Sequence, residues 1–111
     1  MTMKAIGRIR HIDRRIVADI INNIRSADFD THAVEQRLIL LQPIAFADDL
    51  RSFRDAKKPL QRFSAELSKW IGKEFSADLV KCKGKVLSRH LGGEKCENQQ
   101  WTKRNPGVPI I

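Results

Sequence analysis

Only two cysteines, Cys82 and Cys96, occur in the 111 residues. That is too few for the disulfide framework that staples small secreted domains. A chain of this length buries a core without staples, so both are read as free thiols. With His90 they supply three zinc-ligand types in the order Cys-x7-His-x5-Cys, which fits no common zinc spacing, and no metal is expected. No apolar run approaches the roughly 18 residues of a membrane span. The stretch Met1 to Arg15 has positive charge but lacks the apolar segment and small-residue cleavage site of a signal peptide. The chain is therefore expected in the cytoplasm and away from membranes.

Catalytic signatures are also missing. There is no P-loop, no GxGxxG, no nucleophile elbow and no HExxH. Asp48 and Asp49 are adjacent; on a helix they point about 100° apart and form a solvated side rather than a carboxylate pair. His11 and His32 each stand at a helix beginning close to an acidic residue and read as surface histidines. These absences predict a protein that is not an enzyme and needs no cofactor.

Positive charge is what the chain has in excess. Twenty-one Lys and Arg against 13 Asp and Glu give a net charge of +8 and a pI near 10.0, a balance suited to a polyanionic partner. The distribution is uneven: residues 1–15 carry net +4, residues 16–53 net −3 and residues 54–111 net +7. If the two ends meet in space they form one basic face, with the acidic middle elsewhere.

Apolar periodicity divides the chain into elements of one domain, residues 1–104, followed by an extended tail, 105–111. Ile12, Ile16, Ile20, Ile21 and Ile24 predict a first helix over 11–25. Asp30 or Thr31 can cap a second, 32–42, with Val34, Leu38 and Leu41 inward. Phe29, between two acidic residues, is a core anchor or a one-residue strand. Pro43 ends the second helix and can open a third, 44–54, carrying Phe46, Leu50 and Phe53. The strongest stripe follows: Leu60, Phe63, Leu67, Trp70, Ile71 and Phe75 predict a helix over 60–75. Gly72 inside it marks close packing or an early end. Ser76-Ala77-Asp78 can cap one more turn carrying Leu79 and Val80. A hairpin is then expected from Lys85 to Leu91, through Gly92-Gly93, to a returning strand ending at Trp101.

The basic residues fall on the elements that would touch a duplex. Arg62, Lys69 and Lys73 lie along the polar side of the 60–75 helix; Lys81, Lys83 and Lys85 enter the hairpin; Arg89 and Lys95 flank its turn. Their charges neutralise phosphates and release counterions. Gln61, Ser64, Ser68 and Lys69 are placed to read base edges if the amino-terminal half of that helix enters a major groove. Glu66 within this set works against it. Trp70 and Trp101 read as core residues rather than base-stacking platforms.

Three segments, Leu67-Ser-Lys-Trp-Ile-Gly-Lys-Glu-Phe75, Lys83-Gly-Lys-Val-Leu-Ser-Arg-His-Leu-Gly-Gly93 and Asn98-Gln-Gln-Trp-Thr-Lys103, resemble the last helix and wing of winged helix-turn-helix domains. Phe29-Asp-Thr-His-Ala-Val34 resembles the short strand and second-helix start of the same family. The resemblance implies that the last helix enters the major groove and that the wing runs near the phosphates or the minor groove. One departure stands out. Either the helix at 44–54 is an insertion, or it is the third helix and the one at 60–75 has been added.

The fold expected is mainly α with a carboxy-terminal β-hairpin, winged-helix-like, with four to five helices and a two-stranded wing. The function expected is non-enzymatic binding of duplex DNA, as a transcriptional regulator or a DNA-targeting subunit. The alternative is a protein-interaction module, with a protein partner or a second copy as its ligand, since some winged helices bind proteins.

Overall fold

Asp13 sets the start of the first helix by accepting the Arg15 amide at 2.8 Å. In the computed structural model, which describes residues 7–77 and 79–104, this helix, α1, runs Arg14–Asn23 and buries Val17, Ala18, Ile20 and Ile21. It begins three residues later than the isoleucine period predicts. The backbone N–H groups of Arg10, His11 and Ile12 converge on the Asp49 carboxylate instead, which holds this segment against the helix that carries Asp49, ahead of the Asp13 cap.

Strand β1, Asp28–Asp30, delivers Asp30 as the N-cap of α2, Thr31–Leu41, where its carboxylate accepts the Ala33 amide at 2.8 Å. Pro43 is the first residue of α3, Pro43–Arg51, and Pro59 the first of α4, Pro59–Phe75, the position at which a missing N–H is harmless. Phe53 lies just beyond α3 and is fully buried, its ring edge-on to Phe63 of α4 at 5.6 Å. Gly72 does not end α4. A Cβ there would stand 3.3 Å from the Trp101 ring, so glycine is what lets helix and sheet approach.

After α4 the chain enters β2, Val80–Arg89, and returns as β3, Lys95–Lys103. The further turn expected here does not carry Val80, which is already strand; Leu79 donates to the Phe75 carbonyl at 2.8 Å, while Asp78, the proposed cap, lies outside the described residues, as does the 105–111 tail. A bulge between Cys82 and Gly84 leaves Lys83 unopposed, and Gly84 takes the positive φ of 121° there.

The expected fold class needs correction. Among the described residues the strands are not confined to a two-stranded wing but form a three-stranded antiparallel sheet in the order β1-β3-β2, joined to four helices. Phe29 pairs with Trp101, flanked by Asp28 with Thr102 and Asp30 with Gln100. Three residues with one apolar side chain carry no period of their own. Strand identity at 28–30 comes from pairing with a partner about seventy residues away in sequence. Phe29 and Trp101 join the isoleucines of α1, Val34 and Leu38 of α2 and the apolar stripe of α4 in one core.

Candidate nucleic-acid interface

Helix α4 divides the predicted site residues into two groups. Its buried side carries Phe63, Leu67, Ile71 and Phe75, and Ser64 with them. Ser64 is only 4% exposed and donates to Glu35 Oε1 at 2.5 Å. Ser68 lies 2.7 Å from the Thr31 hydroxyl. Ser64 is turned into the domain and is unavailable to a base edge, which corrects the expectation for it, while Ser68 is half-buried with its hydroxyl against Thr31. The signal was in the spacing: Ser64 follows Phe63 and precedes Leu67 by three, inside the apolar stripe.

The outer side of α4 carries Arg62, Lys69 and Lys73, all exposed. Glu66 sits between the first two, 3.3 Å from each, so it offsets part of their charge. Gln61 is half-buried at the start of the helix, beside the hairpin turn.

On the hairpin, Lys81, Lys83, Lys85, Arg89 and Lys95 are all exposed. Lys83, on the bulge, pairs with Asp28 of β1, whose carboxyl it holds below the ordinary range. Arg89 and Lys95 are directly opposed across β2 and β3, and Arg89 also donates to the Gly93 carbonyl at 2.7 Å. The amino-terminal arginines reach the same region only in part. Arg14 donates to the Glu74 carbonyl at 3.1 Å and stacks over Phe75, 4.7 Å from its centroid, at the carboxy end of α4.

Beneath the hairpin lies a polar network that the sequence pattern does not announce. His32, expected at the surface, is 1% exposed. Its Nδ1 lies 2.7 Å from Ser88 Oγ, its Nε2 3.7 Å from Cys96 Sγ, and its amide donates to Asn98 Oδ1 at 3.0 Å. Asn98 Nδ2 in turn donates to Ser88 Oγ at 3.0 Å. Burial lowers the His32 pKa and raises that of Cys96, so the histidine is biased to neutral and the cysteine to its thiol form. These bonds fix the hairpin to α2 and so set where its outer cations point.

Asp49 also departs from expectation. The predicted solvated side chain is 1% exposed and accepts the amides of Arg10, His11 and Ile12 as well as His11 Nδ1 at 2.8 Å. Cys82 stands opposite Trp101 and Cys96 opposite Ser88, so the thiols are separated along the hairpin and remain free. Among the described residues no group of three or more His, Cys, Asp or Glu could hold a metal ion. No helix among them is long and apolar enough to cross a membrane.

No family model, curated protein or solved structure matches the chain.

Proposed function

We propose that this chain binds duplex DNA without catalysing a reaction, as a transcriptional regulator or the DNA-targeting part of a larger cytoplasmic assembly. The observation that carries the reading is the Arg89–Lys95 pair. Two exposed cations directly opposed across a hairpin destabilise it, and a phosphate lying against both reverses the sign of that interaction. Lys81 and Lys85 extend the positive charge along β2. On the winged helix-turn-helix resemblance, the outer side of α4, with Arg62, Lys69 and Lys73, faces the groove while the hairpin follows the backbone. Titration of a labelled duplex at two salt concentrations tests this. Steep loss of affinity with added salt supports it, and undetectable affinity at low salt overturns it.

A second reading rests on a separate observation. Leu40, Leu41 and Ile44, at the corner between α2 and α3, are 80%, 62% and 77% exposed. Leu41 and Ile44 line one surface cleft, and aliphatic side chains that share a surface in water favour a protein contact. Replacing Leu40 and Ile44 with Glu and comparing sedimentation with the parent chain tests whether that corner associates.

A further inference from the structure

We infer that the cleft between the amino terminus of α4 and the hairpin turn binds a phosphate-class oxyanion, with the Leu60 and Gln61 amides and His90 Nε2–H as its donors. It rests on the duplex reading only for where the phosphate comes from, a nucleic-acid backbone or a free phosphorylated molecule.

Helix α4 is 17 residues long and starts without a side-chain cap. Lys58 occupies the capping position, Pro59 has no N–H, and the helical ladder begins with the Arg62 amide on the Lys58 carbonyl at 2.9 Å. The N–H groups of Leu60 and Gln61 are therefore left as open donors at the positive end of the helix dipole. A bare helix start is common, and by itself it specifies no ligand.

His90 is the second, independent observation. It is 8% exposed. The Gly92 amide donates to its Nδ1 at 2.8 Å, which leaves the ring proton on Nε2. Glu94 Oε2 stands 4.0 Å from Nε2, beyond hydrogen-bond reach, and no other partner approaches it among the described residues. Yet no fully enclosed side-chain nitrogen or oxygen among those residues lacks a partner. Nε2 is thus the part of this buried ring that still opens onto the cleft.

Gly92 brings the two sets of donors together. A Cβ at that position would lie 2.6 Å from His90 Cε1 and 3.2 Å from Leu60 Cδ1, so only glycine allows the turn to close on the helix start. The resulting cleft, about 520 Å³, is lined by Lys58, Leu60, Gln61, His90, Gly92 and Glu94. Its lining residues come from two elements and bound a volume larger than one oxyanion. A tetrahedral phosphate offers acceptors in several directions at once, and the exposed Lys58 adds a positive charge. Glu94 is the opposing group, a carboxylate on the rim that is 78% exposed on its side chain and free to swing into solvent.

The test is an amide and imidazole nitrogen chemical-shift titration of the full chain with inorganic phosphate, using chloride at matched ionic strength as the control. Saturable movement of Leu60, Gln61 and Gly92 amides and of His90 Nε2 is expected. Glu94→Gln should tighten binding about two- to fivefold by removing a like charge, and His90→Phe should weaken it while keeping the ring's bulk. Because Glu94 is exposed, its variant is not expected to disturb the fold. Unmoved amides in both the parent and Glu94→Gln, up to phosphate on the order of 10 mM, overturn the proposal. A parallel titration with duplex separates the sources. Duplex that displaces phosphate assigns the cleft to a backbone phosphate. Phosphate that binds the cleft without competition from duplex assigns it to a free phosphorylated ligand, even if the duplex reading itself fails.

Discussion

Ser64 Oγ donates to the Glu35 carboxyl at 2.5 Å, joining α4 to α2 by a buried polar contact beside the apolar stripe of α4. Burial raises the Glu35 pKa from 4.5 to about 8, with the Ser64 hydrogen bond pulling the other way. The group is thus protonated in the folded state through neutral pH. Since the unfolded chain ionises it near 4.5, its contribution to stability is complete below that pH. The contribution is lost as pH rises to about 8 and is constant thereafter.

Glu35→Gln should therefore flatten this part of the pH profile. The amide still accepts from Ser64 but has no proton to lose. Urea unfolding at pH 5 and pH 8 is expected to show the variant gaining on the parent at the higher pH by a few kcal/mol, at about 1.4 kcal/mol per pKa unit. An equal difference at both pH values would contradict the assignment.

Ser64→Ala and Lys69→Ala should separate the two sides of α4. Removing the serine hydroxyl leaves a buried carboxyl without its donor and should cost about 1–3 kcal/mol of stability. It should leave duplex sequence preference unchanged. Removing the exposed Lys69 side chain should hardly alter unfolding, because exposed ion pairs contribute about 0–1 kcal/mol, and should act on duplex binding instead. Denaturation and binding curves on the same two variants decide this.

Asp49→Ala should release the segment ahead of α1. Its carboxylate accepts three consecutive amides and the His11 ring, and hydrogen bonds to charged groups contribute about 1.5–3 kcal/mol each net of the exchange with water, without adding in full when one acceptor shares them. Hydrogen exchange at Arg10, His11 and Ile12 should accelerate more than in the α4 core. Uniform acceleration would show instead that Asp49 holds the whole domain.

Arg89→Ala with Lys95→Ala should weaken binding to every duplex sequence and reduce the salt slope by about one for each phosphate that is no longer neutralised. Unlike most paired substitutions it should leave stability unchanged or slightly raised, by a few tenths of a kcal/mol, because a like-charge cross-strand pair is removed. A changed sequence preference with an unchanged salt slope would argue against phosphate binding at the hairpin.

Periodicity made much of the helical architecture legible. The apolar stripe from Leu60 to Phe75 placed α4 within one residue, and Pro43 marked the boundary between α2 and α3. The cations outside α4 and along the hairpin were legible because an exposed lysine needs no partner to specify it. At Ser64 two signals in the sequence disagree: its hydroxyl suggests a base-reading residue, while its spacing within the stripe puts it inside, where it meets Glu35.

The sequence by itself determined the helical periods, the cap at Asp30 and the excess of positive charge, since a period and a cap depend on residues within a few positions of one another. Only tertiary structure decided that Asp28–Asp30 is a strand, that Asp49 holds residues 10–12, that His32 is buried against Ser88 and that His90 meets the start of α4. In each of those cases the partner lies far along the chain. A short polar segment has no local preference strong enough to announce what it will pair with once the core has closed.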